Sequence, residues 1–151
     1  MGYYMKSRYQ GFTLLELMIT IGIFAIISAM AIPSFTGFVE RNQLSSNVRG
    51  IVGALALTRS EAVSRREDVV FEALGGNWNS GWQVSVGGAV LRQSDSFPAG
   101  YTLVFTNGST ELAFNARGIL AVATSEIITI ADGKGNSSTI QLPRSGSAYI
   151  R

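Results

Sequence analysis

The side chains that most often carry chemistry are missing from this chain. Among its 151 residues there is no Cys and no His, which removes thiolate nucleophiles, disulfides, Cys/His zinc sites and every imidazole base. The scattered Ser residues fall in no Ser-Lys or nucleophile-elbow pattern, so no nucleophile can be matched with a base. The sequence predicts neither an enzyme nor a cofactor site. Asp132-Gly133-Lys134-Gly135-Asn136-Ser137 has the outline of a calcium loop, yet it offers one carboxylate, an intervening Lys and no distal Glu in register. It reads as a hairpin turn without a metal. Gly75-Gly76 and Gly87-Gly88 open no helix and are turns, not phosphate loops.

Two charged features remain. Glu16 stands at the apolar end of the amino-terminal segment, where a carboxylate costs up to about 2.5 to 3.5 kcal/mol if carried to a bilayer centre. It calls for a partner, and the local sequence shows none; solvation by head groups at the interface is the alternative. At the other end, Lys134, Arg144 and Arg151 occur with no acidic residue after Asp132. With Tyr149 they make a small charged and aromatic surface of the kind that meets a phosphate backbone. Three exposed charges neutralise few phosphates, so a solvated surface is the preferred reading.

The elements that position these residues follow from hydropathy. Leu17 to Val39 is a run of 23 uncharged residues, about 35 Å of helix against a hydrocarbon core of about 30 Å. The run is longer than the roughly 7 to 15 residues of a secretory signal core, so it predicts a spanning helix. Lys6 and Arg8 precede it and place the amino terminus in the cytoplasm. Without the first eleven residues, ten cations balance ten anions, so net basicity gives the body no general affinity for nucleic acid. Pro33 predicts a kink or break in the helix.

Beyond Pro33, Leu44, Val48, Ile51, Val52, Leu55 and Ala62 recur at helical spacing, which predicts one helix to about Arg66 with an apolar stripe for packing on a sheet. Arg41, Arg49, Arg59, Arg65 and Arg66 are spread around it among acidic residues and read as a solvated surface. From Val69 onward, short runs rich in Val, Ile, Thr, Phe and Tyr alternate with turn residues. Eight strands are expected, at 69–74, 82–86, 89–92, 101–106, 111–115, 127–131, 138–142 and 148–151, forming two small antiparallel sheets. Gly87-Gly88, Asn107-Gly108 and Asp132-Gly133 supply the positive φ angles of tight hairpins.

Lys6 to Glu16 reads KSRYQGFTLLE and resembles the type III signal of type IV prepilins and pseudopilins. The resemblance implies that a membrane prepilin peptidase cuts between Gly11 and Phe12 and methylates the new Phe12 amine. The ammonium so formed suits a carboxylate buried among apolar helices, and Glu16 of one subunit then meets Phe12 of its neighbour as a check on register. In that family a proline placed like Pro33 accompanies a stretch that loosens on entry into a filament, with Gly22 as the second candidate here. Asn77-Trp78-Asn79-Ser80-Gly81-Trp82 and Phe114-Asn115-Ala116-Arg117-Gly118 look like the GspH, FimT and FimU branch of minor pilins and pseudopilins. Core aromatics beside a turn are the plainer reading of Trp78 and Trp82, and a turn residue that of Gly118. DNA-uptake members of the branch end in a G-R-x-R-like pattern; Gly146 matches it, and Ser147 and Tyr149 stand where it has arginines.

The expected fold is therefore α+β and pilin-like: a long transmembrane helix whose outer half packs on a small antiparallel β-rich domain. Its parts are a leader at 1–11, a transmembrane and assembly segment at 12–39, an amphipathic helical continuation at 40–68 and a β-rich domain at 69–151. The expected function is that of a structural minor pilin or pseudopilin, anchored once in the inner membrane with the β domain periplasmic and then placed near a fibre tip. Its partners are prepilin peptidase, other pilins and the inner membrane. The alternative is a minor pilin that binds DNA for uptake. A signal-anchored periplasmic enzyme ranks far below both.

Overall fold

The computed structural model describes residues 11–122 and 124–151, with the side chains of 31–34 left aside. Lys6, Arg8 and the rest of the expected leader before Gly11 lie outside the described residues. Two compact units are defined, residues 1–39 and residues 40–151.

In the first unit, the described residues from Leu14 onward belong to helix α1, Leu14–Arg65. Its described side chains in this unit are mostly exposed and apolar, with Leu14 76% and Met30 75% accessible. By length and composition this is a helix able to cross a membrane. The break that a proline invites is not found, because the helical backbone runs on through residue 33. One missing N–H removes one hydrogen bond, and the neighbouring bonds hold the turn.

In the second unit, the remainder of α1 buries Leu44, Val48, Ile51, Ala54, Leu55, Thr58 and Ala62, the expected stripe with Val52 at its half-buried margin. Thr58 is tolerated there because its hydroxyl donates to the Ala54 carbonyl at 2.7 Å. The helix stops at Arg65, and Arg66 carries the left-handed turn after it at φ 59°.

Eight strands follow: β1 (Val69–Ala73), β2 (Trp82–Val86), β3 (Ala89–Gln93), β4 (Thr102–Phe105), β5 (Glu111–Phe114), β6 (Glu126–Ala131), β7 (Ser137–Leu142) and β8 (Tyr149–Ile150). They form two antiparallel sheets, ordered β3-β2-β1-β5 and β4-β6-β7-β8. Alternate residues point inward, so Phe71, Val84, Leu112 and Phe114 of one sheet and Leu103, Phe105, Ile128, Ile130 and Ile140 of the other share a core with the α1 stripe. All core residues lie in the second unit. At about 1.5 to 3 kcal/mol for each large apolar side chain buried, this core is the main stabiliser of that unit.

The three turn dipeptides behave differently from one another. Gly87-Gly88 forms the expected two-residue hairpin, with φ of 55° and 82° between the paired Val86 and Ala89. Asp132-Gly133 opens a longer loop, because the ladder of β6 and β7 closes at Ala131 and Ser137. Asn107-Gly108 is not a hairpin: β4 and β5 belong to different sheets. The dipeptide bends the chain, but Leu112 and Phe114 are buried against β1 and so take β5 away from β4.

Candidate functional site

At the amino end, Gly11, Phe12 and Thr13 precede the helix. The Glu16 backbone N–H donates to the Thr13 hydroxyl at 3.2 Å, and the Thr13 N–H donates to Glu16 Oε2 at 3.4 Å. Thr-Leu-Leu-Glu is thus a capping box, which satisfies orphan donors at the helix start. This corrects the expectation that Glu16 lacks a local partner; the signal was the T-x-x-E spacing. The second contact is long, and the carboxylate is otherwise exposed. Gly22 is helical with open space where a Cβ would stand.

Both aromatic and glycine motifs lie in the second unit, each with its own partners. Trp78 stacks on Phe105 at 4.4 Å and on Phe71 at 5.2 Å, bridging β4 and β1, and its indole N–H donates to the Ser109 carbonyl at 2.9 Å. Trp82 lies 5.4 Å from Phe71. Both tryptophans are buried core aromatics. Gly81 lets the chain turn between them: its φ is 109°, and a Cβ there would stand 2.5 Å from the Ser94 carbonyl oxygen.

In the second motif, Asn115 accepts from the N–H groups of Arg117 and Ile119 at 2.9 and 3.2 Å, organising a tight turn. Gly118 in that turn is more than a turn residue. A Cβ on it would meet Val63 Cγ2 at 2.9 Å, and one on Gly146 would meet the Gly118 carbonyl oxygen at 2.5 Å. These glycines admit Arg59, whose Nε donates to the Gly118 carbonyl at 3.0 Å and whose Nη1 donates to the Ser147 hydroxyl at 3.0 Å. Arg59, expected on a solvated surface, is instead half-buried and joins α1 to the F-N-x-x-G turn and the carboxyl-terminal loop. Helical periodicity could not reveal this, because both acceptors are distant in sequence.

The four residues expected as a carboxyl-terminal patch are dispersed. Lys134 sits at the β6–β7 loop, where its ammonium pairs with Glu40 at 2.7 Å; that hydrogen bond raises its pKa above the ordinary value. Arg144 lies beyond the far end of β7, about 20 Å away at 3.3 Å per strand residue. Tyr149 donates its hydroxyl to Gln141 at 2.5 Å, and the Arg151 N–H donates to the Thr139 carbonyl at 3.0 Å. The structure groups Arg144 with Arg59 and Arg117 around an open groove of about 630 Å³ that also includes Asn115. Among the described residues, neither Arg117 nor Arg144 forms an ion pair. Arg117 was legible only as a variable position inside F-N-x-x-G.

Asp132 is committed within its own loop. Its Oδ1 accepts from the N–H groups of Lys134 and Asn136 at 2.8 and 3.0 Å, and its Oδ2 accepts from the Asn136 amide at 2.6 Å. The Asn136 side chain is the main cause of a pKa below the ordinary carboxylate value. Burial, followed by the Asp132 charge, raises the pKa of Tyr101. Among the described residues no group of three or more acidic side chains could hold a metal ion.

An apolar amino-terminal helix leading into a helix-on-sheet body with these two motifs is the pilin fold. Residues 47–146 match the family described as Type II transport protein GspH, and residues 6–32 match the prokaryotic N-terminal methylation motif. The chain belongs to the GspH family. Crystal structures of the type IV minor pilin FimU of Pseudomonas aeruginosa are similar, one with a TM-score of 0.67 and 28% identity over 76% of this chain and 92% of that one. A second crystal form gives 0.64 and 26% over 72% and 92%. The type IV major fimbrial protein FimA of Dichelobacter nodosus is 48% identical over 44 residues, 29% of this chain. The chain thus matches about 28% of the length of that curated relative.

Proposed function

We propose that this chain is a minor structural subunit of a type IV pilus or type II secretion pseudopilus. Prepilin peptidase cuts it between Gly11 and Phe12 and methylates Phe12, releasing a subunit held in the inner membrane by the apolar part of α1. The body lies on the periplasmic side and meets other pilins near the fibre tip. The observation that carries this reading is an exposed apolar helix that bears one carboxylate, Glu16, four residues after Phe12. Capping alone leaves most of that carboxylate's bonding capacity unused, and the ammonium at a neighbour's Phe12 fills it once lipid and protein replace water. Pro33 and Gly22 supply the stretch where the helix loosens on assembly.

The test is incorporation into sheared fibres. Glu16→Ala is expected to abolish incorporation while membrane levels and cleavage persist, whereas Glu16→Asp is expected to retain part of it. Wild-type incorporation of Glu16→Ala rejects the reading.

The groove of Arg59, Arg117 and Arg144 favours a second reading, a minor pilin that takes up DNA. Phosphate contacts need cations and no base-specific geometry. Lys134 is neutralised by Glu40 and leaves this set, and Tyr149 and Arg151 lie outside the groove, beside Gln141 and Thr139 of β7. If DNA binds, Arg117→Ala/Arg144→Ala should reduce the slope of log affinity against log salt by about 2. An unchanged slope rejects the groove as the site.

A further inference from the structure

The loop between β6 and β7 is tied to the first residue beyond the uncharged run, because Lys134 pairs with Glu40 at 2.7 Å. Beside that pair lies an open cleft of about 470 Å³, whose lining includes Arg41, Leu44, Ser45, Ser137 and Ser138. Among the described residues no acidic side chain lines it. The carboxylates nearest in the chain are engaged: Glu40 with Lys134, and Asp132 with the N–H groups of Lys134 and Asn136 and with the Asn136 amide. Arg41 is left as the uncompensated charge, exposed and, among the described residues, without an ion pair. The hydroxyls of Ser45, Ser137 and Ser138 likewise have no hydrogen bond among those residues. A guanidinium and three hydroxyls around a cleft that lacks acid form a donor set for an anionic oxygen group.

The position of the cleft along the chain points to the source of that group. Arg41 and Ser45 follow Val39 by two and six residues of α1, about 3 and 9 Å of helix rise. The head-group layer on either side of a hydrocarbon core is about 5 to 8 Å deep. We propose that the cleft holds the phosphodiester of a phospholipid head group in the membrane that anchors α1. Arg41 supplies the charge-assisted contact and the hydroxyls meet the remaining oxygens. A DNA duplex fits poorly, since one uncompensated cation releases few counterions, and a hard divalent ion finds no carboxylate in the lining. The lipid as source rests on the membrane anchoring proposed above; the anion chemistry of the cleft does not.

The test is amide NMR of the full chain in micelles of an uncharged sugar detergent. Dihexanoyl-phosphatidylglycerol is expected to shift residues 41–45 and 135–138 saturably, and dihexanoylglycerol, which lacks the phosphate, is not. Arg41→Gln should weaken the response by about tenfold or more at an unchanged Tm, because the side chain is exposed. Arg49→Gln, which alters an exposed arginine outside the cleft, should respond as wild type does. The absence of a saturable response, an equal response to dihexanoylglycerol or in Arg41→Gln, or an equal loss in Arg49→Gln overturns the proposal. Inorganic phosphate of matching affinity overturns the lipid as the source, and so does tighter binding of a DNA duplex at the same residues. Release of the chain from membranes by alkaline carbonate rejects the anchoring reading and the lipid with it, whereas a failed titration of a chain that stays in the membrane rejects the cleft alone.

Discussion

Gly146 allows a quantitative test of how the body is closed. Adding a methyl group there has two costs. One is conformational, since its φ of 83° is a region that costs an L-residue about 1 to 2 kcal/mol. The other is steric. The new Cβ would meet the Gly118 carbonyl oxygen at 2.5 Å and Phe114 Cε1 at 2.9 Å. One is backbone and the other belongs to a fully buried ring, so neither yields easily, and overpacking of this kind costs about 1 to 3 kcal/mol. Gly146→Ala should therefore destabilise by about 2 to 5 kcal/mol, a large share of the usual 5 to 15 kcal/mol of a domain. Gly135→Ala is the control. Its φ is 100° but a Cβ there meets nothing within 4 Å, so only the conformational cost of about 1 to 2 kcal/mol applies. Chemical denaturation of residues 40–151, which contain the whole core, should separate the two variants by about 1 to 3 kcal/mol, or roughly 4 to 12 °C in Tm. Equal losses would refute close packing of Gly118, Gly146 and Arg59.

Further outcomes follow from other contacts. Arg66→Gly should stabilise by about 1 kcal/mol, because a glycine after α1 carries the φ of 59° without strain; a lower denaturation midpoint contradicts that account. Trp78→Phe keeps a ring between Phe71 and Phe105 but loses the bond to the Ser109 carbonyl, a cost of about 1 to 3 kcal/mol for the unpaired acceptor and reduced packing, measured by urea unfolding. The Asp132 pKa is lowered, chiefly by Asn136, so its contribution is present above the ordinary 3.8 and is lost as pH falls through the folded value. Asn136→Ala should raise that pKa in a carboxylate NMR titration, and an unmoved value rejects the assigned cause. The Lys134 pKa is raised by Glu40, so its contribution is complete below 10.5 and is lost as pH rises through the folded value; in Glu40→Gln the Lys134 titration should move down.

Local order determined a large part of this protein in advance. The uncharged run defines the apolar helix, the 3.6-residue stripe from Leu44 to Ala62 defines the face that packs, and alternation with turn residues defines eight strands to within a residue or two. Each signal is short-range, arising from side chains that are neighbours on a helix or strand. The KSRYQGFTLLE signal is equally local, and Thr13 to Glu16 carried a capping box at the same spacing. Partnership across sequence distance needed the tertiary structure. Positive φ at Asn107-Gly108 could not say that β4 and β5 part company, because burial of Leu112 and Phe114 against β1 decides that. Nor could it show Arg59 reaching Gly118 and Ser147, or separate Lys134 from Arg144 and put Arg117 beside the latter. The inward turn of Glu126 was hidden for the same reason: a charged residue at a strand's start reads as a solvent-facing end until the opposing Leu142 and the core rank of Ile128 and Ile130 enclose it.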